Sequence, residues 1–198
     1  LFEGGIDSSL CQNFIGHFWL LWHWWSACVM LAFQLCAKRT KLSAMSKTVL
    51  LIAHTPSPNT LALTTAALAT VASHDTGEAV MRCLSPFDVS AKDVSEAAGV
   101  IIGTTENIGY MAGATKDMFD RCYNDWLDST AAKPVAIYIR AGLDGTATKN
   151  ALNSICGGLK WRLVAAPLIV RGNWQDSFCD QVSELCLGVV LGIDSGIY

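Results

Sequence analysis

Residues 45–198 predict a single three-layer α/β domain, a parallel sheet covered by helices on both faces. Three observations predict it. Short runs such as Gly99–Gly103 (GVIIG) and Val135–Ile139 (VAIYI) are apolar throughout, without the polar alternation of a half-solvated strand. Segments of helical length separate these runs. The stretch of about 150 residues suits one such domain, and no internal repeat or low-complexity segment interrupts it.

The elements follow in order. Val49–Ala53 is a β-branched and aliphatic strand that ends in a proline-containing turn, and Leu61–Ala72, rich in Ala, Leu and Thr, reads as a helix. Ala79–Leu84 is a weaker strand, and Gly99–Gly103 a buried one. In Ala112–Leu127 the residues Met118, Phe119, Cys122, Tyr123 and Trp126 recur at helical spacing. Val135–Ile139 is the fourth strand and Thr146–Leu159 a helix. Leu163–Val170 is expected to be one strand around Pro167, and Asp176–Leu191 the last helix.

The first 44 residues differ in kind. Residues 8–37 carry no formal charge, and 18 of the 23 residues in Phe14–Cys36 are apolar, long enough to span a bilayer. Lys38, Arg39, Lys41 and Lys47 follow, as after a signal anchor whose domain faces the cytoplasm. Against this, Trp19, Trp22, Trp24 and Trp25 crowd the middle of the stretch, whereas tryptophan prefers the interfaces; His17 and His23 add polar groups at depth. Met45 opens a segment that reads as the start of a domain with its first strand. Residues 1–44 are therefore expected to be either extraneous to a cytoplasmic working protein or a membrane anchor. A cleaved secretory signal fits worse, because the basic residues follow the apolar run.

Composition narrows the function. The chain of 198 residues has 14 Lys and Arg against 17 Asp and Glu, a net charge of −3. Non-specific nucleic-acid binding is not expected without a cationic excess to displace phosphate counterions. The eight cysteines (residues 11, 28, 36, 83, 122, 156, 179 and 186) include no C-x-x-C pair and read as free thiols in a reducing compartment. No metal site is expected, since His54 and His74 form no ligand pattern and no carboxylate cluster occurs.

Doubly wound sheets bind ligands beyond the carboxyl ends of their strands, so three loops bear the weight. The first is His54-Thr55-Pro56-Ser57-Pro58-Asn59-Thr60, running straight into a helix. A helix N-terminus with spare N–H groups suits a phosphate, and Thr55, Ser57, Asn59 and Thr60 add neutral side-chain donors without any Lys or Arg. Neither a Walker loop nor a G-x-G-x-x-G fingerprint is present. The rival reading is a capped helix after a proline turn, with Asn59 or Thr60 as N-cap.

The second loop begins at Thr104, and the run from Gly103 to Arg121 reads G-T-x-E-N-x-G-Y-M-x-G-x-x-K-D-x-F-D-R. This run resembles the flavin-contacting segment of the flavodoxin-like superfamily, in particular its NAD(P)H-dependent FMN reductase branch. The H-T-P-S-P-N-T loop is similar to that branch's FMN-phosphate loop, and G-L-K-W-x-L-V, R-G-x-W-Q and G-I-D-S-G-I-Y resemble its carboxyl region. The resemblance covers residues 46–198 and none of 1–44. It implies a flavodoxin-like sandwich with a five-stranded parallel sheet in the order 2-1-3-4-5.

The resemblance further implies that Thr55, Ser57, Asn59 and Thr60 hold the FMN phosphate. It implies that Thr104, Glu106, Asn107, Gly109, Tyr110 and Met111 line the isoalloxazine edge. Gly109 would permit close backbone approach and Tyr110 could stack on the ring, the rival for Tyr110 and Met111 being an apolar contact that opens the next helix. Thr105 stands where the family more often has proline, which puts the rigidity of this loop in question. Lys116 and Arg121 read as solvated helix positions paired with Asp117, Asp120 or Asp125.

The third loop is Arg140-Ala141-Gly142-Leu143-Asp144-Gly145-Thr146. Gly142 and Gly145 suit a backbone packed against the pyrimidine end of the ring. Arg140 stands either near the flavin N1/C2 oxygen, favouring its anionic reduced form, or in a surface ion pair. Asp144 reads as a cap of the following helix.

The function implied is an FMN-dependent oxidoreductase that takes hydride from NADH or NADPH and passes electrons to a small-molecule acceptor, a quinone or flavin. The flavin supplies the chemistry, so no catalytic side chain is assigned. The alternatives are a flavodoxin-type electron carrier, disfavoured by the absence of acidic runs around the loops, and a flavin-free interaction module of the same fold. Family members commonly form homo-oligomers, for which Trp126, Trp161 and Trp174 are either interface or core residues.

Overall fold

The computed structural model describes residues 47–198, and the apolar stretch 14–36 with Lys38, Arg39 and Lys41 lies outside them. β1 (Lys47–Ala53) leads into α1 (Pro58–Ser73), β2 (Ala79–Leu84), α2 (Ala91–Glu96) and β3 (Gly99–Asn107). A two-residue strand β4 (Tyr110–Met111) precedes α3 (Gly113–Leu127), β5 (Pro134–Ala141) and α4 (Thr146–Gly158). β6 (Arg162–Leu163), β7 (Leu168–Arg171) and α5 (Ser177–Asp194) complete the chain. The sheet order is β2-β1-β3-β5-β6, with β7 also on β5 and all of these pairs parallel. This is the expected 2-1-3-4-5 order with one addition, β4, which pairs antiparallel with β3.

Each strand feeds both layers because successive side chains point to opposite faces. Leu50, Ile52, Ile102 and Ile137 join Met118, Phe119 and Trp126 of α3 and Leu152 of α4 in one core. Val49, Leu51, Ile101 and Ala136 join Leu63 and Val71 of α1 and Val182 and Val190 of α5 in the other. That double burial is why the strands are apolar throughout.

Trp126 and Trp161 are buried beside Phe119, with the two tryptophan ring centroids 5.4 Å apart. Both are core residues, and Trp174 packs edge-on against Phe178. The five cysteines among the described residues are free thiols, three of them buried; burial pushes Cys156 and Cys186 up to about 12. Among the described residues no helix is long and apolar enough to cross a membrane, and no group of His, Cys, Asp or Glu could hold a metal ion.

Three elements differ from expectation. The single strand expected at Leu163–Val170 is two strands, since four residues, 164–167, stand opposite only Ala136 and Ile137 of β5. Pro167 cannot donate to a ladder, and at a sheet edge a bulge around it is tolerated. The helix α2 was not foreseen, although Ser90 and Asp93 form a capping box at its start, the Ser90 N–H reaching the Asp93 carboxylate at 3.0 Å. The first helix starts earlier than expected, with Ser57 and not Asn59 or Thr60 as its N-cap. Pro58 sits in its first turn, where a missing N–H does no harm.

Candidate functional site

The sheet order reverses at β1, whose neighbours are β2 and β3, so the loops after β1 and β3 flank the crevice of the fold. Residues Thr55 to Asn59 are exposed there. Ser57 Oγ accepts the Thr60 N–H at 3.3 Å, Thr60 Oγ1 accepts the Ser57 N–H at 3.0 Å and donates to the Ser57 carbonyl at 2.9 Å. Thr60 is thus buried and its hydroxyl proton already committed. Ser57 Oγ also lies 3.1 Å from Thr60 Oγ1, so with the Thr60 proton committed the Ser57 hydroxyl is engaged within the cap. The exposed Thr55 and Asn59 side chains are the donors facing water. His54 N–H reaches the Gly103 carbonyl at 2.9 Å, tying the start of this loop to β3, and partial burial holds the His54 imidazole below its ordinary pKa.

The second loop is a tight hairpin. Glu106 pairs with Met111 and Asn107 with Tyr110, across Ile108 (φ 52°) and Gly109 (φ 71°). Two left-handed residues make the turn that matches strand twist, and only glycine or asparagine adopts it freely. Ile108 nevertheless occupies the first position, with its side chain fully exposed. Tyr110 is 43% exposed beside it.

The rigidity that proline would lend at Thr105 comes from hydrogen bonds. The Thr105 hydroxyl donates to Asn107 Oδ1 at 2.9 Å, and its carbonyl accepts the Ala112 N–H at 3.0 Å. Thr104 and Met111 do not line an exposed edge. Thr104 is 1% exposed and its hydroxyl meets that of Thr115 at 2.8 Å, while Met111 is part of the core beneath α3. For Met111 the apolar contact opening the helix is the arrangement found.

Glu106 joins the second loop to the third. Its two carboxylate oxygens accept the N–H groups of Leu143 at 2.7 Å and Gly145 at 3.2 Å. Gly142 has open space where a Cβ would stand; Gly145 has φ 72° and would press a Cβ against Ile169. Asp144 accepts the Thr146 N–H at 2.9 Å at the start of α4, and that bond holds its carboxyl below the usual range.

Arg140 is placed otherwise than expected. Its guanidinium donates to the carbonyls of Ala141, Val170 and Gly172 and lies 5.5 Å from the centre of the Phe178 ring. It binds β5 to β7 and α5 from a half-buried position, and among the described residues it makes no ion pair. Lys116 and Arg121 pair with Asp120 and Asp117 as expected. Arg121 also donates to the Pro86 and Val89 carbonyls, which no sequence pattern signals.

The structure therefore brings Thr55, Ser57, Asn59, Glu106, Asn107, Gly109, Tyr110, Gly142 and Gly145 to one end of the sheet; Thr60, Thr104 and Met111 are buried, and Arg140 is half-buried against backbone carbonyls. The N–H groups of Leu143 and Gly145, held by Glu106, are the part sequence reasoning missed. Beside Arg140, whose guanidinium is held by backbone carbonyls, the formal charges on these loops are Glu106 and Asp144. An uncharged donor loop at a helix N-terminus, an exposed tyrosine and glycines with open space at 109 and 142 fit a flat phosphorylated ring system.

Fold and loops together define a doubly wound α/β protein whose candidate loops gather at the switch point of its sheet. Its architecture is the flavodoxin-like fold. It is similar to the structure of a flavodoxin from the domain Archaea (14% identity, 74% of this chain and 98% of that one, TM-score 0.63). It is similar also to an apo NADH:FMN oxidoreductase (16% identity, 74% and 89%, TM-score 0.58). A third similar structure is a WrbA-like flavodoxin from Agrobacterium tumefaciens (13% identity, 76% and 98%, TM-score 0.58). No protein-family model and no curated protein matches the sequence.

Proposed function

We propose that residues 45–198 bind FMN and serve an NAD(P)H-dependent oxidoreductase that reduces a quinone, a flavin or a similar small acceptor. The observation that carries this reading is the meeting of the Thr55–Asn59 donor loop, at the N-terminus of α1, with the exposed Tyr110 hairpin at the same end of the sheet. FMN would supply the two-electron chemistry when bound. The chain's own residues bind and orient. Asn59 and Thr55, with the Ser57 hydroxyl once it turns from Thr60, offer neutral donors to the phosphate, reinforced by the positive end of the α1 dipole. Tyr110 offers a ring face, and Gly142 a backbone that a flat ligand can approach.

The test is an absorbance spectrum of the purified protein, mass identification of any flavin released on denaturation, and NADH or NADPH oxidation with a quinone acceptor. FMN release with acceptor-dependent turnover supports the proposal. FAD release, or no uptake of FMN at micromolar concentration, defeats it. FMN without NAD(P)H turnover identifies an electron carrier instead.

A further inference from the structure

We infer that Glu106 is a positioning residue that holds the β5–α4 loop as a fixed wall of the proposed site. That the wall faces a flavin rests on the reading above; that Glu106 shapes it does not.

Glu106 follows Thr105, the last residue of β3 in register with β5, where Thr105 stands opposite Arg140. The chain therefore delivers its carboxylate to the point where β5 gives way to the loop. Both oxygens are used, on two amides separated by one residue, so a single side chain fixes the loop at two places. The loop's other side-chain bonds lie at its ends, from Arg140 to the Ala141 carbonyl and from the Thr146 N–H to Asp144. Leu143 is 69% exposed, and Gly145, the N-cap of α4, has no side chain with which to cap. Glu106 accepts the N–H of the N-cap residue itself from a different strand, beside Asp144 on the Thr146 N–H, and a carboxylate at the start of α4 is favoured by the helix dipole.

The loop is closely surrounded where it enters α4. Gly145 lies in the left-handed region with Ile169 and Ala141 close around it. Leu143 is turned to water while its N–H is turned to Glu106. The neighbouring side chain, Asn107, is held by Thr105. Consecutive residues of one strand end thus lock the hairpin and the β5–α4 loop together, which sets the separation of the two walls between which a flat ligand would lie.

Amide hydrogen exchange on the flavin-free full-length protein, comparing wild type with Glu106→Ala and Glu106→Gln, tests the clamp. The expected result is slow exchange of the Leu143 and Gly145 amides in the wild type, accelerated about tenfold or more in Glu106→Ala, as loss of bonds to a charged acceptor requires. Glu106→Gln keeps one acceptor oxygen but turns an NH2 group on the second amide, so it should rescue one amide and not both. FMN titration is the second readout. Affinity should fall about tenfold in Glu106→Ala, by a smaller factor in Glu106→Gln, with little change in melting temperature. Free exchange of both amides in the wild type, or equal FMN affinity in all three proteins, would overturn the inference. So would a loss of affinity that merely follows a loss of thermal stability. If the wild type takes up no FMN, the flavin reading falls, while protection lost in Glu106→Ala still upholds the clamp.

Discussion

Ser57 and Thr60 satisfy each other at the start of α1, each hydroxyl accepting the other's backbone N–H at 3.3 and 3.0 Å. The residues singled out as phosphate donors are therefore divided in their duties. Ser57 and Thr60 shape the loop from within, and Asn59 and Thr55 are exposed to solvent on the frame they maintain.

This division separates two variants by two measurements. Thr60→Ala should lower the stability of the flavin-free protein by about 1 kcal/mol, the usual cost of a lost cap. Asn59→Ala should leave the melting temperature unchanged and weaken FMN binding by about 1–3 kcal/mol, the range for bonds to a charged partner. Lys116→Ala, which removes an exposed helical ion pair, should alter neither appreciably. Identical FMN affinities for Asn59→Ala and Lys116→Ala, by fluorescence titration, would place the phosphate elsewhere.

The hairpin tip carries strain that a conservative change should relieve. Ile108 is β-branched, at φ 52°, and its side chain touches water on every side. Ile108→Asn places the favoured Asn-Gly pair in the turn and should stabilise the protein by about 1 kcal/mol. Denaturant titration decides it: an unchanged or lower midpoint means that the backbone at 108 is not left-handed in solution.

Gly145 should tolerate no side chain. A Cβ there would stand 2.7 Å from Ile169 Cγ2 and 3.2 Å from Ala141 Cβ, on a residue at φ 72°. Gly145→Ala should cost about 1–3 kcal/mol, against little for Gly142→Ala, where no atom lies within 4 Å. Equal melting temperatures for these two variants would contradict the loop geometry.

Acid should weaken the fold through His54. Burial lowers its pKa in the folded protein below the ordinary 6.5, so the unfolded chain binds the proton first. Stability from this group is therefore complete above pH 6.5 and declines as pH falls below it. The imidazole followed by NMR should titrate with a midpoint below 6.5. Between about pH 7.5 and about pH 5.5 the wild type should lose more stability than His54→Gln. A midpoint at or above the ordinary value refutes this.

The strands and long helices were legible because their signal is local. GVIIG and VAIYI are apolar at every position since both faces of those strands are buried, and Met118, Phe119, Cys122 and Trp126 repeat at the helical period since α3 buries one face. The hairpin β4 was not legible, because Ile-Gly is a poor sequence for its turn and two residues carry no period. Nor was the division of Leu163–Val170, which depends on what β5 offers across the ladder.

By itself the sequence determined the α/β class, the order in which the loops arrive at one end of the sheet, and the polar, uncharged character of the first of them. These follow from periodicity and composition, which every residue carries with it. Which side chains reach solvent was decided only in the tertiary structure. Thr60 and Asn59 are adjacent and similar in polarity, yet one is enclosed by a cap and the other exposed. Glu106 and Arg140 are both charged residues at strand ends, and each is captured by backbone groups distant in the chain. A hydrogen bond between loops 37 residues apart leaves no pattern in the sequence, because its partner is a backbone amide that every residue except proline possesses.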